Sequence, residues 1–321
     1  MQPSLWLVIP CYNEEKMLEI STKVIGEKMH KLINNKIISP NSQLLFVDDG
    51  SNDKTWQIIK DCQKKDSLFR GIKLAHNSGH QNALMAGMMY SMDKCDCIIS
   101  MDVDLQDDIN AIDEMIQKYN DGCEIVYGVR SSRKSDTLFK KGTAQAFYKI
   151  MGKLGADVVY DHADYRLLSN VVLHALEKYK ETSLFLRGII PSLGFKTDKV
   201  FYERKERIAG ESKYPLKKMI SFAFDGITSF TVKPLHLISV LGFLFSVLSV
   251  CGLLYSLVSF FCGNTVEGWT TTVCSIWFIG GVNMLCLGVI GEYVGKIYFE
   301  VKKRPRYIIE ETTNNDEGEK I

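Results

Sequence analysis

The sequence predicts an α/β domain built on a mainly parallel sheet, followed by a two-helix transmembrane hairpin. Two observations carry that prediction. Short apolar runs alternate with amphipathic helical stretches through the N-terminal part of the chain. Further along, residues 237–261 and 269–291 contain no charged side chain. Each of these runs exceeds the ~20 residues that a helix needs to cross a bilayer. The chain-wide averages hide the division, since 46% hydrophobic and 24% charged residues with a net charge of +1 describe an ordinary soluble protein. That balance excludes a strongly basic nucleic-acid binder and an acidic disordered chain.

The elements follow in order. Residues 5–10 (LWLVIP) are a continuous apolar run, as a buried parallel strand requires. Residues 14–33 have helical spacing. Residues 44–47 (LLFV) form a second strand ending in Asp48, Asp49, Gly50 and Ser51. A helix over 55–64 takes Ser51 or Asp53 as its cap. Residues 71–74 are a weaker strand and 81–92 a helix. Residues 97–101 (CIISM) are a strand that runs into Asp102 and Asp104. A helix over 109–119 and a strand over 124–129 (EIVYGV) complete the series. Repeated β-α alternation implies a sheet covered on both faces. Ligands of such sheets collect at the carboxyl ends of the strands. Polar clusters sit at those ends: Tyr12, Asn13 and Glu14, then Asp48 and Asp49, then Asp102 and Asp104, then Arg130. Four successive polar strand ends point to an enzyme. Neither G-x-G-x-x-G nor G-x-x-x-x-G-K-[ST] occurs, so a dinucleotide oxidoreductase or P-loop NTPase is not expected.

The flanks of the two apolar runs set an orientation. Lys217, Lys218 and Lys233 precede the first run, and Lys296, Lys302, Lys303, Arg304 and Arg306 follow the second. The loop between them carries Glu267 and no Lys or Arg. The positive-inside rule then puts both termini and the α/β domain in the cytoplasm. Residues 1–4 lead straight into a strand without a basic n-region, so no signal peptide is expected. Nine cysteines fit that compartment as free thiols. Residues 215–232 mix basic and aromatic side chains, as an interfacial helix does. Gly291 and Gly295 are spaced for close helix packing. Residues 310–321 read as a polar, acidic, disordered tail. The expected organisation is a catalytic domain over 1–214, an interfacial helix over 215–233, a hairpin over 234–292 and a cytosolic tail over 293–321.

Asp102, Asp104 and Gln106 alternate, so their side chains share a face if the extended conformation continues. Their hard oxygens suit Mg2+ or Mn2+. Such an ion would bridge a diphosphate and stabilise its charge as a leaving group. D-x-D alone fits a solvated acidic turn equally well. His76 and His80 are four apart, as in a helical zinc pair. The intervening Asn77-Ser78-Gly79 is loop chemistry and argues against one.

VIPCYNE at 8–14, VDDGSNDKT at 47–55, NSGHQNAL at 77–84 and MDVDLQDD at 101–108 stand in the order and spacing of family 2 glycosyltransferases with a GT-A (Rossmann-like) fold. ADYRLLS at 163–169 resembles the D-[FY]-R-L motif of the polyprenyl-phosphate branch, which includes bactoprenol glucosyltransferases and dolichyl-phosphate mannose synthases. ERIAGESKYP at 206–215 resembles that branch's R-x-x-G-x-S-K-Y loop. The resemblance covers nearly the whole chain. It implies that Pro10, Tyr12, Glu14, Asp48, Gly79, Gln81 and Asp102 bind the nucleotide-sugar. Asp48 would bond the base imide, and Asp49 would support the turn. It implies Asp102, Asp104 and Gln106 for the metal, Mg2+ or Mn2+. Asp104, Asp164, Arg130 and Arg166 would be catalytic. Arg130, Arg166, Arg207, Ser212 and Lys213 would hold the lipid phosphate or the diphosphate, with Asp164 as base or orienter. A lipid phosphate with a second pKa near ~6 is largely anionic at neutral pH and needs little activation.

The implied reaction is inverting, metal-dependent transfer of one sugar from UDP-glucose or UDP-GlcNAc to polyprenyl (undecaprenyl) phosphate at the cytoplasmic membrane face. Implied partners are the nucleotide-sugar donor, the polyprenyl phosphate acceptor, membrane lipids and further copies of the chain, a tetramer among them. A separate flippase and a downstream glycosyltransferase would use the product, and no nucleic acid is involved. Three alternatives stand beside this reading. One is a GDP-mannose-dependent synthase, which D-Y-R-L disfavours. Another is a processive polysaccharide synthase, disfavoured by the lack of Q-x-x-R-W. The third is a catalytically retired membrane-anchored binding or scaffold protein.

Overall fold

The computed structural model describes residues 2–131, 162–182, 184–203 and 268–313, with scattered residues between 235 and 262. These fall into two units. One holds the N-terminal sequence together with residues 304–321, and the other holds residues 215–303.

The first unit is an eight-stranded mixed sheet. Its strands are β1 (Leu5–Cys11), β2 (Gln43–Asp48), β3 (Phe69–Leu74), β4 (Cys97–Ser100), β5 (Ile125–Arg130), β6 (His162–Ser169), β7 (Thr197–Tyr202) and β8 (Ile309–Thr312). The spatial order is β7-β5-β6-β4-β1-β2-β3-β8. Helices α1 (Glu15–Asn34), α2 (Thr55–Lys65), α3 (His80–Ser91) and α4 (Ala111–Asn120) connect the early strands, and α5 (Asn170–Glu177) and α6 (Leu186–Ser192) follow β6. Strands β1 to β3 build outward in one direction, and β4 then pairs with β1 on its other side. The sheet therefore reverses between β1 and β4, and that switch point opens a crevice at the strands' carboxyl ends.

Alternation along β1 explains how both faces are covered. Leu5, Leu7, Ile9 and Cys11 join a core with Leu18, Ile25 and Met29 of α1, Ile59 of α2 and Ile112 of α4. Val8 points to the opposite face, where Gly87 of α3 packs against Val8 and Val47. A Cβ on Gly87 would lie 2.7 Å from Val47 Cγ2 and closer still to Val8. Only a glycine lets α3 approach the sheet this closely.

The expected strands and helices are present, with ends shifted by one or two residues. Three strands go beyond the expectation. β6 is antiparallel to both β4 and β5, and β7 closes the far edge parallel to β5. β8 corrects the expectation of a disordered tail from residue 310. It pairs antiparallel with β3, with Ile72 opposite Thr312. Trp56 Nε1 donates to Glu311 at 2.7 Å, and Lys73 pairs with Glu310 at 2.7 Å. The acidic residues are thus matched to cations and donors on α2 and β3. This strand also covers the β3 edge, which would otherwise present unpaired backbone groups.

In the second unit, α7 (Trp269–Lys302) runs 34 residues. At 1.5 Å per residue that is about 51 Å, longer than a ~30 Å hydrocarbon core. Phe278–Lys302 is long and apolar enough to cross a membrane. The helix extends past the expected end at 291. Residues 238–245 of the first expected span are helical, and Phe245 lies 6.0 Å from Phe278 between ring centroids. The expected interfacial helix over 215–233 lies outside the described residues.

Gly87→Ala tests the packing of α3. The gain in helix propensity, about 1 kcal/mol, is outweighed by overpacking against two β-branched side chains, which costs about 1–3 kcal/mol. The unfolding midpoint of the purified protein should fall. An unchanged or raised midpoint contradicts the packing.

Candidate active site

At the switch point lies a cavity of about 190 Å³ lined by Pro10, Cys11 and Tyr12 after β1, Asp49 after β2, and Asn77, Gly79, His80 and Ala83 at the start of α3. Tyr12 is 43% exposed and offers its ring to the cleft. Glu14 immediately precedes α1, and its backbone N–H donates to Thr55 Oγ1 at 3.0 Å.

Asp48 and Asp49 take different positions at the end of β2. Asp48 is fully buried below the cleft. Its Oδ1 accepts from Ser51 N at 3.1 Å, while Oδ2 has no partner among the described residues. Burial raises its pKa, and the bonds from Ser51 oppose the rise. Asp49 lines the cavity and also braces it, accepting from Ser78 N at 2.7 Å and Gly79 N at 3.0 Å. Gly79 has φ +89°, a conformation that side-chain-bearing residues rarely adopt. Gln81 is not in the cavity lining; its Oε1 accepts from Leu186 N at 2.9 Å and ties α3 to α6. Gln81 thus braces α3 against α6.

The D-x-D segment does not continue β4. Leu105 has φ +54°, and Gln106 N bonds back to Asp104 Oδ1 at 3.2 Å. The three oxygen ligands therefore do not line one extended face, and Gln106 is buried. Asp102 and Asp104 remain at the β4 end. Burial in the cleft pushes the Asp102 carboxyl up to about 6, with Asp107, Asp164 and Asp104 adding to the rise and His80 opposing it. Carboxylates crowded in this way fit a hard divalent cation, which relieves their repulsion. No group of three His, Cys, Asp or Glu side chains converges to hold a metal among the described residues. A diphosphate would have to complete the ligand set.

Asp164 reaches the site because β6 is antiparallel. Arg166 stands opposite Ser100, so the start of β6 lies beside the end of β4. Asp164 is bonded by Arg166 NH2, by Arg187 Nε at 3.2 Å and by Arg187 NH2 at 3.0 Å. His80 Nε2 stands 3.6 Å from Asp164 and 3.8 Å from Asp102. Burial alone would raise the Asp164 pKa, but Arg187, His80 and Arg166 outweigh it and hold the carboxyl well below its usual range. For His80, burial disfavours the charged form, yet the two carboxylates win and raise its pKa.

The arginines differ in exposure. The Arg166 side chain is fully buried, bound to Asp164 and, at 3.5 Å, to Leu186 O. It stands behind the cleft and has no surface for a lipid phosphate. Arg130 is paired with buried Asp107 at 3.6 Å, and Asp107 also accepts from Tyr202 OH at 2.5 Å. Its side chain keeps 26% exposure. Arg207, Ser212 and Lys213 lie outside the described residues. Sequence reasoning missed His80 as a neighbour of both carboxylates, and it missed Arg187 altogether. The motif NSGHQNAL contained the first; only the fold reveals the second.

The sequence model of Glycosyl transferase family 2 matches residues 6–177. The chain is 48% identical over 316 residues to the uncharacterized glycosyltransferase YkoT of Bacillus subtilis (strain 168), covering 98% of this chain and 94% of that protein. It is 37% identical over 305 residues to the prophage bactoprenol glucosyl transferase homolog of Escherichia coli (strain K12), covering 94% and 97%. Among solved structures, the mannosyltransferase PcManGT from Pyrobaculum calidifontis, in complex with GDP-Man and Mn2+, has a TM-score of 0.47 at 13% identity and covers 92% of this chain and 88% of that one. The chain belongs to glycosyl transferase family 2. It is a glycosyltransferase, and its fold is a mostly parallel mixed sheet flanked by helices.

The raised Asp102 pKa fixes a sign for stability. A folded-state pKa of about 6 against an unfolded value near ~3.9 means that ionised Asp102 destabilises the fold. That cost grows as pH rises from ~4 and is complete above ~6. In EDTA, Asp102→Asn should raise the unfolding midpoint at about pH 7.5, with the gain vanishing near pH ~4. A gain that persists unchanged at low pH contradicts the crowding.

Proposed function

We propose that the chain transfers one sugar from a UDP-sugar, UDP-glucose or UDP-N-acetylglucosamine, to polyprenyl phosphate at the cytoplasmic face of a membrane. The observation that carries this reading is the switch-point cleft, where His80 stands between Asp102 and an arginine-bound Asp164. The bactoprenol name carried by a near-full-length relative supports the acceptor. A C-terminal helix long and apolar enough to cross a membrane supports access to it. Its Phe278, Met284 and Leu287 side chains are exposed and suit lipid better than water.

The donor's base packs against Pro10 and Tyr12, with the unpartnered Oδ2 of Asp48 beneath it as acceptor for an imide N–H. Asp49 holds the Ser78–Gly79 backbone that bounds the cleft. Asp102 and Asp104 would hold Mg2+ or Mn2+, and the ion would supply charge neutralisation for the leaving nucleoside diphosphate. The acceptor phosphate is already anionic, so the site's task is to align two anions and offset their repulsion. Attack from the face opposite the diphosphate inverts the anomeric centre. Residues 207–213 lie outside the described residues; on the family resemblance Arg207, Ser212 and Lys213 are assigned to the phosphates.

The test is transfer from radiolabelled UDP-sugars into undecaprenyl phosphate, followed by mass spectrometry of the lipid. One UDP-hexose should label the lipid, EDTA should stop transfer, and Asp104→Ala should abolish turnover. Failure with every UDP- and GDP-sugar overturns the reading. Activity in Asp104→Ala overturns the metal assignment alone.

A further inference from the structure

We propose that Glu310 of β8 and Lys73 of β3 are positioning residues for Asp48, which they hold as the anionic acceptor for the donor's base. The proposal rests on the nucleotide reading given above, in which Asp48 meets an imide N–H.

Residues 308–313 are bonded along β3 from Gly71 to Ala75. Thr313 N donates to Gly71 O, Gly71 N donates to Thr313 Oγ1, and Ala75 N donates to Ile308 O, each at 2.9 Å. The register slips between these ends. Lys73 stands opposite Glu311 but Leu74 opposite Ile309, so Glu310 is the extra residue of a bulge. Neighbours on a regular strand point to opposite faces, and an extra residue re-aims them. Here Glu311 meets Trp56 and Lys60 of α2, and Glu310 meets Lys73 Nζ at 2.7 Å. A Cβ on Gly71 would meet Ile59 and Trp56 of α2. Lys73, two residues on, therefore shares the face of α2. Asp48 stands opposite Lys73 in the β2–β3 register, two residues beyond Phe46 of the same core. Glu310, Lys73 and Asp48 thus form a line from the sheet edge to the nucleotide end of the cleft.

The chemistry of Asp48 needs that line. It is fully buried. Burial disfavours its charge; the Ser51 bonds and the Lys73 ammonium oppose burial, and Asp53 sides with it. Lys73 in turn faces Glu310, Asp48 and Glu311. A carboxylate only accepts, whereas a protonated carboxyl also donates. The charge on Asp48 therefore selects an imide N–H, as in uracil, over an unprotonated ring nitrogen, as in cytosine. Lys73 has a flexible four-carbon stem and 24% side-chain exposure, so water competes for its ammonium. Glu310 holds it in place. An ion pair whose acid is 50% exposed contributes little stability, so its effect falls on base recognition rather than on folding.

The experiment compares full-length wild type, Lys73→Met, Lys73→Arg, Glu310→Gln and Glu310→Asp in detergent with Mn2+. Calorimetry reads the Kd for UDP, CDP and GDP, and a thermal scan reads the unfolding midpoint. Wild type should prefer UDP. Lys73→Met should bind UDP on the order of tenfold more weakly while CDP binding holds or tightens, so the preference collapses. Lys73→Arg should restore most of it. Glu310→Gln should cut the preference about twofold to fivefold with little change in midpoint, and Glu310→Asp by less. An unchanged preference in Lys73→Met overturns the proposal. So does equal weakening of both nucleotides in step with a fallen midpoint, or wild type that binds UDP and CDP alike. Glu310→Gln that binds UDP as well as wild type, or better, overturns the role of Glu310. Wild type that prefers GDP overturns the UDP reading instead; guanine also carries a ring N–H, and the preference for GDP over CDP then decides on Lys73 and Glu310.

Discussion

One carboxylate organises this site. Asp164 on β6 is bonded by Arg166 from its own strand, Arg187 from α6 and His80 from α3. Breaking a buried pair of this kind by removing one partner costs about 3–5 kcal/mol, because it strands a buried charge. The three elements are therefore fixed relative to one another at the strand ends. The metal-type carboxylates lie against this cluster, with His80 touching both Asp164 and Asp102. Cations gathered around Asp164 and carboxylates crowded around Asp102 suit a substrate pair that brings phosphates and a divalent ion together.

The sheet makes that meeting possible. A purely parallel β6 would begin at the amino ends of β4 and β5, far from the cleft. Its antiparallel direction brings Asp164 to their carboxyl ends. Glycines govern how closely the covering pieces approach. At Gly50, with φ +68°, a Cβ would lie 2.7 Å from the His76 carbonyl carbon, so the β2 turn and the loop before α3 can touch only there. On the far edge, β8 follows directly after the apolar helix and is bound to β3 and Trp56.

Much of this was legible in the sequence because the information is local. The runs LWLVIP and LLFV show buried parallel strands through composition alone, and the polar residues after them show where a ligand goes. The D-x-D carboxylates and the family resemblance were read from the same short windows. The misses are non-local. The antiparallel insertion of β6 depends on pairing with β4, more than 60 positions earlier (Ser100 with Arg166). Arg187 sits in an apolar stretch and gains meaning only when α6 meets Asp164. The bonds of Gln81 and Arg166 to Leu186 are equally non-local, joining α3 and β6 to α6. The extended reading of Asp102 to Gln106 failed at Leu105, whose left-handed φ no composition rule anticipates.

The central claim is that Asp164 and the side chains bonded to it act as one unit. A double-mutant cycle on kcat/KM, with Asp164→Asn and Arg187→Gln separately and combined, tests it most directly. Residues acting as one unit show coupling of about 0.5–3 kcal/mol. The account predicts that the double variant loses little more than the worse single variant. Losses that simply add would contradict it.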